Sequence, residues 1–250
     1  MKRIAYSLFI AVALLITQAA AYQTEEYDPV ERFRYGESFS IGIKGGLSVS
    51  YFRGMAADAL DERLEHEFSE FVNDPLPYVT GGVFATLALS ENFAFQPEVI
   101  YLRNGEHYEG VYGGETYEFD LTAEYVTFPF LIKIMAPSPD MLFRPNFFIG
   151  PVLSILLDAK ATGVPQLPSG AEKIGILDNF RKDEDINDQV RSTDFGIVMG
   201  AGIDAKAGHG HFSFEIRYTT GFSNAFDKNP NAEDFKNAAV SILAGYAYDF

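Results

Sequence analysis

The sequence predicts an all-β protein, an eight-stranded antiparallel up-and-down barrel that crosses an outer membrane. Three observations predict it. Apolar and polar residues alternate with a period of two over long stretches. The connections between those stretches alternate long and short, the asymmetry of bacterial outer-membrane barrels. Aromatic residues recur at one end of the stretches, as an interfacial girdle requires.

The clearest stretch runs from Phe39 to Tyr51. Phe39, Ile41, Ile43, Leu47, Val49 and Tyr51 alternate with Ser38, Ser40, Gly42, Lys44, Gly46, Ser48 and Ser50, and only Gly45 breaks the apolar row. It is longer than the ~9–11 residues a tilted strand needs to cross a bilayer. Two segments precede it. Residues 1–21 read as a signal peptide: Lys2 and Arg3, an apolar run from Ile4 to Ile16, then Ala19, Ala20 and Ala21 at the cleavage site. That run falls short of the ~20 residues of a membrane-spanning helix. Residues 22–37 are charged and without period, a periplasmic leader; residues 38–250 make the barrel.

After the first strand, Arg53 to Pro75 carries seven acids and two arginines. Leu60, Leu64, Phe68 and Phe71 fall there at helical spacing, with Asn73-Asp74-Pro75 as a stop; a solvated loop reads at least as well as a helix. The second strand is Tyr78 to Leu89 and the third Phe93 to Arg103. Gly113-Gly114 suits a two-residue hairpin turn, so the third and fourth strands should project from the membrane as a ribbon. The fourth strand is Leu121 to Met135, the fifth Asn146 to Asp158. A long excursion, Ala159 to Arg191, precedes the sixth strand at Ser192 to Ala205. The seventh is His211 to Phe222, and the eighth closes the chain at Phe250.

If these strands run up and down, Phe39, Phe93, Phe95, Phe147, Phe212, Phe214, Tyr246, Tyr248 and Phe250 fall at one level, a periplasmic aromatic girdle. The rival architecture is a soluble lipocalin-like barrel with its apolar face turned inward. The opposite face carries only sparse charges of both signs among Gly, Ser and Thr, which suits a cramped polar interior. Pro97, Pro129 and Pro151 fall at similar heights on neighbouring strands and each deletes a ladder hydrogen bond, so β-bulges or a loosened seam are expected there.

Cys is absent, which excludes disulfides, thiolate metal sites and an acylated cysteine. Cleavage after residue 21 lowers the 19 Lys and Arg to 17 against 35 Asp and Glu, a net charge of −18. That argues against nucleic acid as a partner. The partners expected instead are outer-membrane lipid, other envelope proteins, and divalent cations at the acidic loops Arg53–Pro75 and Gly105–Asp120.

An eight-stranded interior is just wide enough to be filled by side chains. The candidate site is therefore a lumenal ion-pair network in which Lys44, Lys133 and Arg217 meet Glu98, Asp194, Asp204 and Glu215. Its plainer reading is a structural plug, its functional one a gated proton or ion path. His66, His107, His209 and His211 stand with no evident nucleophile–base–orienter set, so no catalytic, cofactor or metal residue is assigned, although His209 and His211 flank a turn where they would bind metal adventitiously. The chain reads as non-catalytic. Either it anchors or docks a partner through its external loops, or it is a small gated channel or transporter.

Ile41-Gly-Ile-Lys-Gly-Gly-Leu47, Phe95-Gln-Pro-Glu98, Phe128-Pro-Phe-Leu-Ile-Lys133, Phe148-Ile-Gly-Pro151, Phe195-Gly-Ile-Val-Met-Gly-Ala-Gly202 and the closing Tyr246-Ala-Tyr-Asp-Phe250 occur in this order. Together they resemble the PorT-like outer-membrane β-barrel family of Bacteroidetes-type bacteria. Ser48 stands where that family often has Asn, and Thr127 where it often has Glu. The resemblance implies an eight-stranded outer-membrane barrel and, through the family's namesake, a tie to protein secretion.

Overall fold

The computed structural model describes residues 39–112, 114–136, 143–163, 184–225 and 235–250. The expected signal peptide and leader, and the middle of the Ala159–Arg191 excursion, lie outside the described residues. Eight long strands close into a ring: β1 (Phe39–Arg53), β3 (Pro77–Ala88), β4 (Phe93–Tyr112), β5 (Glu115–Met135), β6 (Phe143–Thr162), β8 (Thr193–Ala207), β9 (Gly210–Gly221) and β10 (Lys236–Asp249). Each pairs antiparallel with its neighbours, and β1 pairs with β10 from Ser40↔Asp249 to Arg53↔Lys236 to close the wall. The amide of Phe250 donates to the carbonyl of Phe39 at 2.8 Å, so β1 begins and β10 ends at the same rim.

The side-chain faces decide between membrane and soluble barrels. Ile43 and Phe147 are each 68% exposed on the outside, while Lys133 and Asp204 are at most 1% exposed within. Leu47, Ile149, Phe195, Ile216 and Ile242 also face out, so the apolar rows lie where hydrocarbon would be. Phe128, between buried Thr127 and Pro129, is the exception and is nearly covered. The lipocalin-like alternative required the opposite arrangement. Among the described residues no helix is long and apolar enough to cross a membrane.

Three differences from the sequence expectation bear on function. First, Met55–Glu67 is a helix, α1. Its Ala, Leu, Glu and Arg favour helix, and Asp58 in the first turn suits the positive end of its dipole. It stops at Phe68, whose extended backbone caps it, well before the expected Asn73-Asp74-Pro75 stop. Ser69–Pro75 then forms a short strand, β2, pairing with the upper part of β4. Asn73 donates to both Asp61 carboxylate oxygens at 3.1 Å, tying β2 back to α1.

Second, β4 and β5 extend far past the membrane band. Pairing of β3 with β4 ends at Gly81↔Tyr101, whereas that of β4 with β5 continues to Tyr112↔Glu115. Gly114 takes φ 90° at the tip, a conformation that suits glycine. The ribbon is thus as expected, but its strands are 20 and 21 residues long, where the third and fourth were expected to span Phe93–Arg103 and Leu121–Met135. A two-residue β7 (Glu184–Asp185) pairs with the end of β6.

Third, the prolines cause no bulge. The register is unshifted through Pro97, Pro129 and Pro151. Each retains a ladder partner on the following strand, Pro97↔Phe130, Pro129↔Val152 and Pro151↔Ile197. Toward the preceding strand the ladder is interrupted for two residues beside each proline. A missing N–H removes bonds on one side only, so the seam is loosened stepwise across three strand pairs without losing register. The shift between β5 and β6 lies higher, where Glu124↔Asp158 gives way to Tyr125↔Leu156.

Candidate functional site

The inward faces of β1, β4 and β9 bring four charges together. Lys44 Nζ donates to Glu98 Oε1 at 2.8 Å and to Glu215 Oε1 at 2.9 Å. Arg217 donates to Glu98 Oε2 at 2.6 Å and also to Glu215 Oε2. Gln96 donates to Glu98 Oε1 at 2.7 Å and accepts from Thr86 at 3.2 Å. Two cations and two carboxylates make the cluster formally neutral, the arrangement that keeps buried charges tolerable.

Aromatic rings lie against this layer. Lys44 Nζ lies 4.2 Å from the centre of the Phe84 ring, and the Arg217 guanidinium 5.3 Å from that of Phe148, positions that favour cation–π attraction. Two glycines make room for the rings. A Cβ on Gly42 would lie 2.7 Å from the Phe84 ring, and one on Gly200 2.5 Å from that of Phe148. The small residues of these strands thus have a local steric reason.

Not all seven sequence-predicted lumen residues join one network. Lys133 and Asp204 form a separate buried pair at 2.8 Å. Asp194 stands apart, accepting from the Ser223 amide at 3.0 Å and the Asn237 side chain at 3.4 Å. The expected single network is therefore a four-charge cluster, a pair and a lone carboxylate.

Above the lumen lies a second feature, which sequence reasoning missed. Phe52, Leu64, Phe68, Tyr108, Phe119, Leu121 and Phe235 form a buried apolar core inside the loop end of the barrel, joined by Ala159, Ala161, Ile186 and Val190. Tyr108 and Phe119 stack at 4.7 Å between ring centres, and Phe52 meets Phe235 at the same distance. Helix α1 contributes Ala57 and Leu64 from one face. Backbone bonds knit the loops over it: Ile186 N donates to Ala159 O, Arg191 N to Ala225 O, and Ala225 N to Phe235 O. The core forms a cap across the mouth. Its sequence signal is a change of parity in β5. Phe119, Leu121, Ala123 and Tyr125 are the inward apolar residues above, whereas Val126, Phe130, Ile132 and Ile134 are the outward ones below.

One acid is held inside the cap. Glu106 accepts from the Phe52 amide at 2.8 Å and the Tyr108 hydroxyl at 2.5 Å. Burial, with Asp61 nearby, pushes its carboxyl up to about 7 against the partial relief of those hydrogen bonds. Burial likewise raises Tyr108 well above an ordinary tyrosine.

His107 and the His209/His211 pair stand far apart in the fold. His107 Nδ1 lies 2.6 Å from Asp120 on the ribbon, and His211 Nδ1 2.9 Å from Asp249 at the turn end. His211 is buried whereas His209 is exposed and stacks near Tyr248, so the His-Gly-His pair diverges. Among the described residues no group of three or more His, Asp or Glu is placed to hold a metal ion. Of the girdle residues, Phe93, Phe147, Phe212, Phe214, Tyr246, Tyr248 and Phe250 face outward and exposed. Phe39 and Phe95 are partly covered, and the rings of Phe39 and Phe250 lie 5.9 Å apart at the rim.

The fold is similar to several solved outer-membrane barrels. With Ail, the attachment invasion locus protein of Yersinia pestis, identity is 12% over 85% of this chain and 99% of that one, with a TM-score of 0.38. With OprG from Pseudomonas aeruginosa the figures are 11%, 87%, 99% and 0.43, and with Neisserial surface protein A they are 13%, 85%, 97% and 0.41. A comparison with curated proteins gave no match. The model of the outer membrane protein beta-barrel domain matches residues 21–227, most of the chain, and with the closed ring of outward-greasy strands this places the protein: it belongs to the outer membrane protein beta-barrel domain family.

Proposed function

We propose that the protein is a closed, non-catalytic outer-membrane barrel that anchors or docks a partner in an envelope or secretion assembly. The observation that carries this reading is that the interior is occupied at two levels, by the four-charge cluster and by the apolar cap. A barrel filled in this way is a platform, and its free surface is the ribbon, α1, β2 and the loops. Glu109, Glu118 and Glu70 are exposed there, so a partner with basic groups, or divalent cations, suits the surface. Residues 1–21 would direct export and place the loop end outside the cell, and the motifs quoted above support membership of the PorT-like subset, with its tie to secretion.

Single-channel recording of the purified protein in planar bilayers tests the closed state, with no stable conductance steps expected between pH 5 and 8. Steps would overturn it. A photo-crosslinker at Glu118, used in cells, would then identify the docked partner; crosslinks to lipid alone would sink the docking role. A second reading, a small gated channel or transporter, is favoured by one feature, a small cavity between cluster and cap where Asn104, Tyr125, Ser154, Asp194 and Asn237 stand among Leu102, Val152 and Ala239.

A further inference from the structure

That cavity is small, about 20 Å³, near the size of one water molecule or a small ion. Its polar lining is unbalanced. The side-chain oxygens of Asn104 and Asn237 have no hydrogen-bond partner among protein groups, although these residues are only 4% and 6% exposed. The orientation of Asn237 follows from its neighbours: its amide nitrogen must face the Asp194 carboxylate, an acceptor, at 3.4 Å, and the Tyr125 hydroxyl at 3.2 Å. Its oxygen is therefore the unpartnered end. Asp194, also in the lining, is 5% exposed, and its carboxylate accepts only from neutral donors, the amide and hydroxyl of Ser223 and the side-chain amide of Asn237. Below it, Glu98, Glu215 and Asp204 each bind Lys or Arg. No salt bridge reaches Asp194 among the described residues, although Arg191 acts on it through its charge. Gly221 lies against this carboxylate: a Cβ there would come 2.0 Å from Asp194 Oδ2, so only glycine leaves the acid its place.

We propose that the upper lumen binds one small, hard monovalent cation of the Na⁺ type, held by the Asp194 carboxylate and the side-chain oxygens of Asn104 and Asn237. Hard cations take oxygen ligands, and buried unpartnered acceptors with a lone buried carboxylate are the groups such an ion satisfies. The formal charge selects valence. One carboxylate balances one positive charge, whereas calcium sites commonly assemble several carboxylates among 6–8 oxygens. The ion would give Asp194 the opposite charge that Glu98, Glu215 and Asp204 already have in Lys44, Arg217 and Lys133. The site holds whether or not the barrel conducts.

The test uses the full chain folded in detergent, with thermal unfolding followed by tyrosine near-ultraviolet circular dichroism. Sodium chloride replaces choline chloride at constant ionic strength. The expected result is a saturable rise in apparent Tm of roughly 2–4 °C. Asp194→Asn should abolish the rise, while Asn104→Asp, adding a second carboxylate, should shift the response toward calcium by at least about tenfold in half-saturating concentration. Equal melting in sodium and choline would mean a cavity filled by water only, and would overturn the proposal. So would a sodium response undiminished in Asp194→Asn, which would trace it to the acidic outer surface. If Asp194→Asn fails to fold, the wild-type comparison and Asn104→Asp still decide.

Discussion

The membrane-spanning half and the loop-end half of this barrel are built on opposite rules within the same strands. In β5, Lys133 and Thr127 face the interior below, and Phe119, Leu121 and Ala123 face it above. The lower half puts its apolar side out because lipid surrounds it; the upper half turns its apolar side in because water does. In β6 the change is made by a slip of one residue. Its buried positions are even-numbered as far as Val152, and beyond the irregularity near Leu157 they become Ala159 and Ala161. A bulge exchanges the two faces of a strand, so one extra residue suffices to carry β6 from one solvent to the other. The lesson is that a strand's greasy face is defined by its surroundings at each height, and a long strand can serve two environments.

This contrast can be broken first at the charged layer. Glu98→Ala leaves Lys44 and Arg217 sharing Glu215, and should destabilise the barrel by about 3–5 kcal/mol. The check is the temperature at which the folded, fast-migrating form is lost on gel electrophoresis; an unchanged temperature would show that the cluster is solvated. The next effect compares like with like across the two halves. Leu64→Ala in the cap should cost about 2–5 kcal/mol in cap stability, while Ile43→Ala on the lipid face should cost well under that, because its side chain is exposed on the outer wall and has no protein cavity to leave. Protease cleavage of α1 against the melting of the barrel separates the two, and equal effects at both sites would contradict the division.

The smallest effect is on pH dependence. Glu106 has its pKa raised to about 7 in the folded cap against 4.5 when unfolded, so between those values the folded cap binds more protons. Stability is then fully present below about pH 4.5, falls as pH rises to about 7, and is level above, by about 3 kcal/mol. Proteolysis of α1 should therefore quicken from pH 5 to pH 8, and Glu106→Gln should remove that dependence. An unchanged slope in the variant would assign the effect to other acids.

How far the sequence reaches differs between the halves for a physical reason. The period of two from Phe39 to Tyr51 gave the lumen-facing position of Lys44, since alternation along a strand is a local property. The same reasoning applied to Glu98, Lys133, Asp204, Glu215 and Arg217. It stopped short of the partners, because which charges meet depends on strand register and barrel circumference: Asp194 shares the inward face and still lies outside the cluster. The prolines were readable as missing donors, but unshifted register across them depends on the neighbouring strands. The cap was hardest to see, since Phe52, Phe119 and Phe235 are distant in sequence.

By itself, then, the sequence determined the wall: where strands run, which side is greasy, which end carries the aromatics. Those follow from backbone period and side-chain polarity, which act between residues close in the chain. Only the tertiary structure decided how Lys44 and Arg217 are shared between two glutamates, that α1 and the loops close over the mouth, and that Asp194, Asn104 and Asn237 surround one small cavity. Those arrangements depend on closing the ring, and closure sets distances between residues that no local pattern relates.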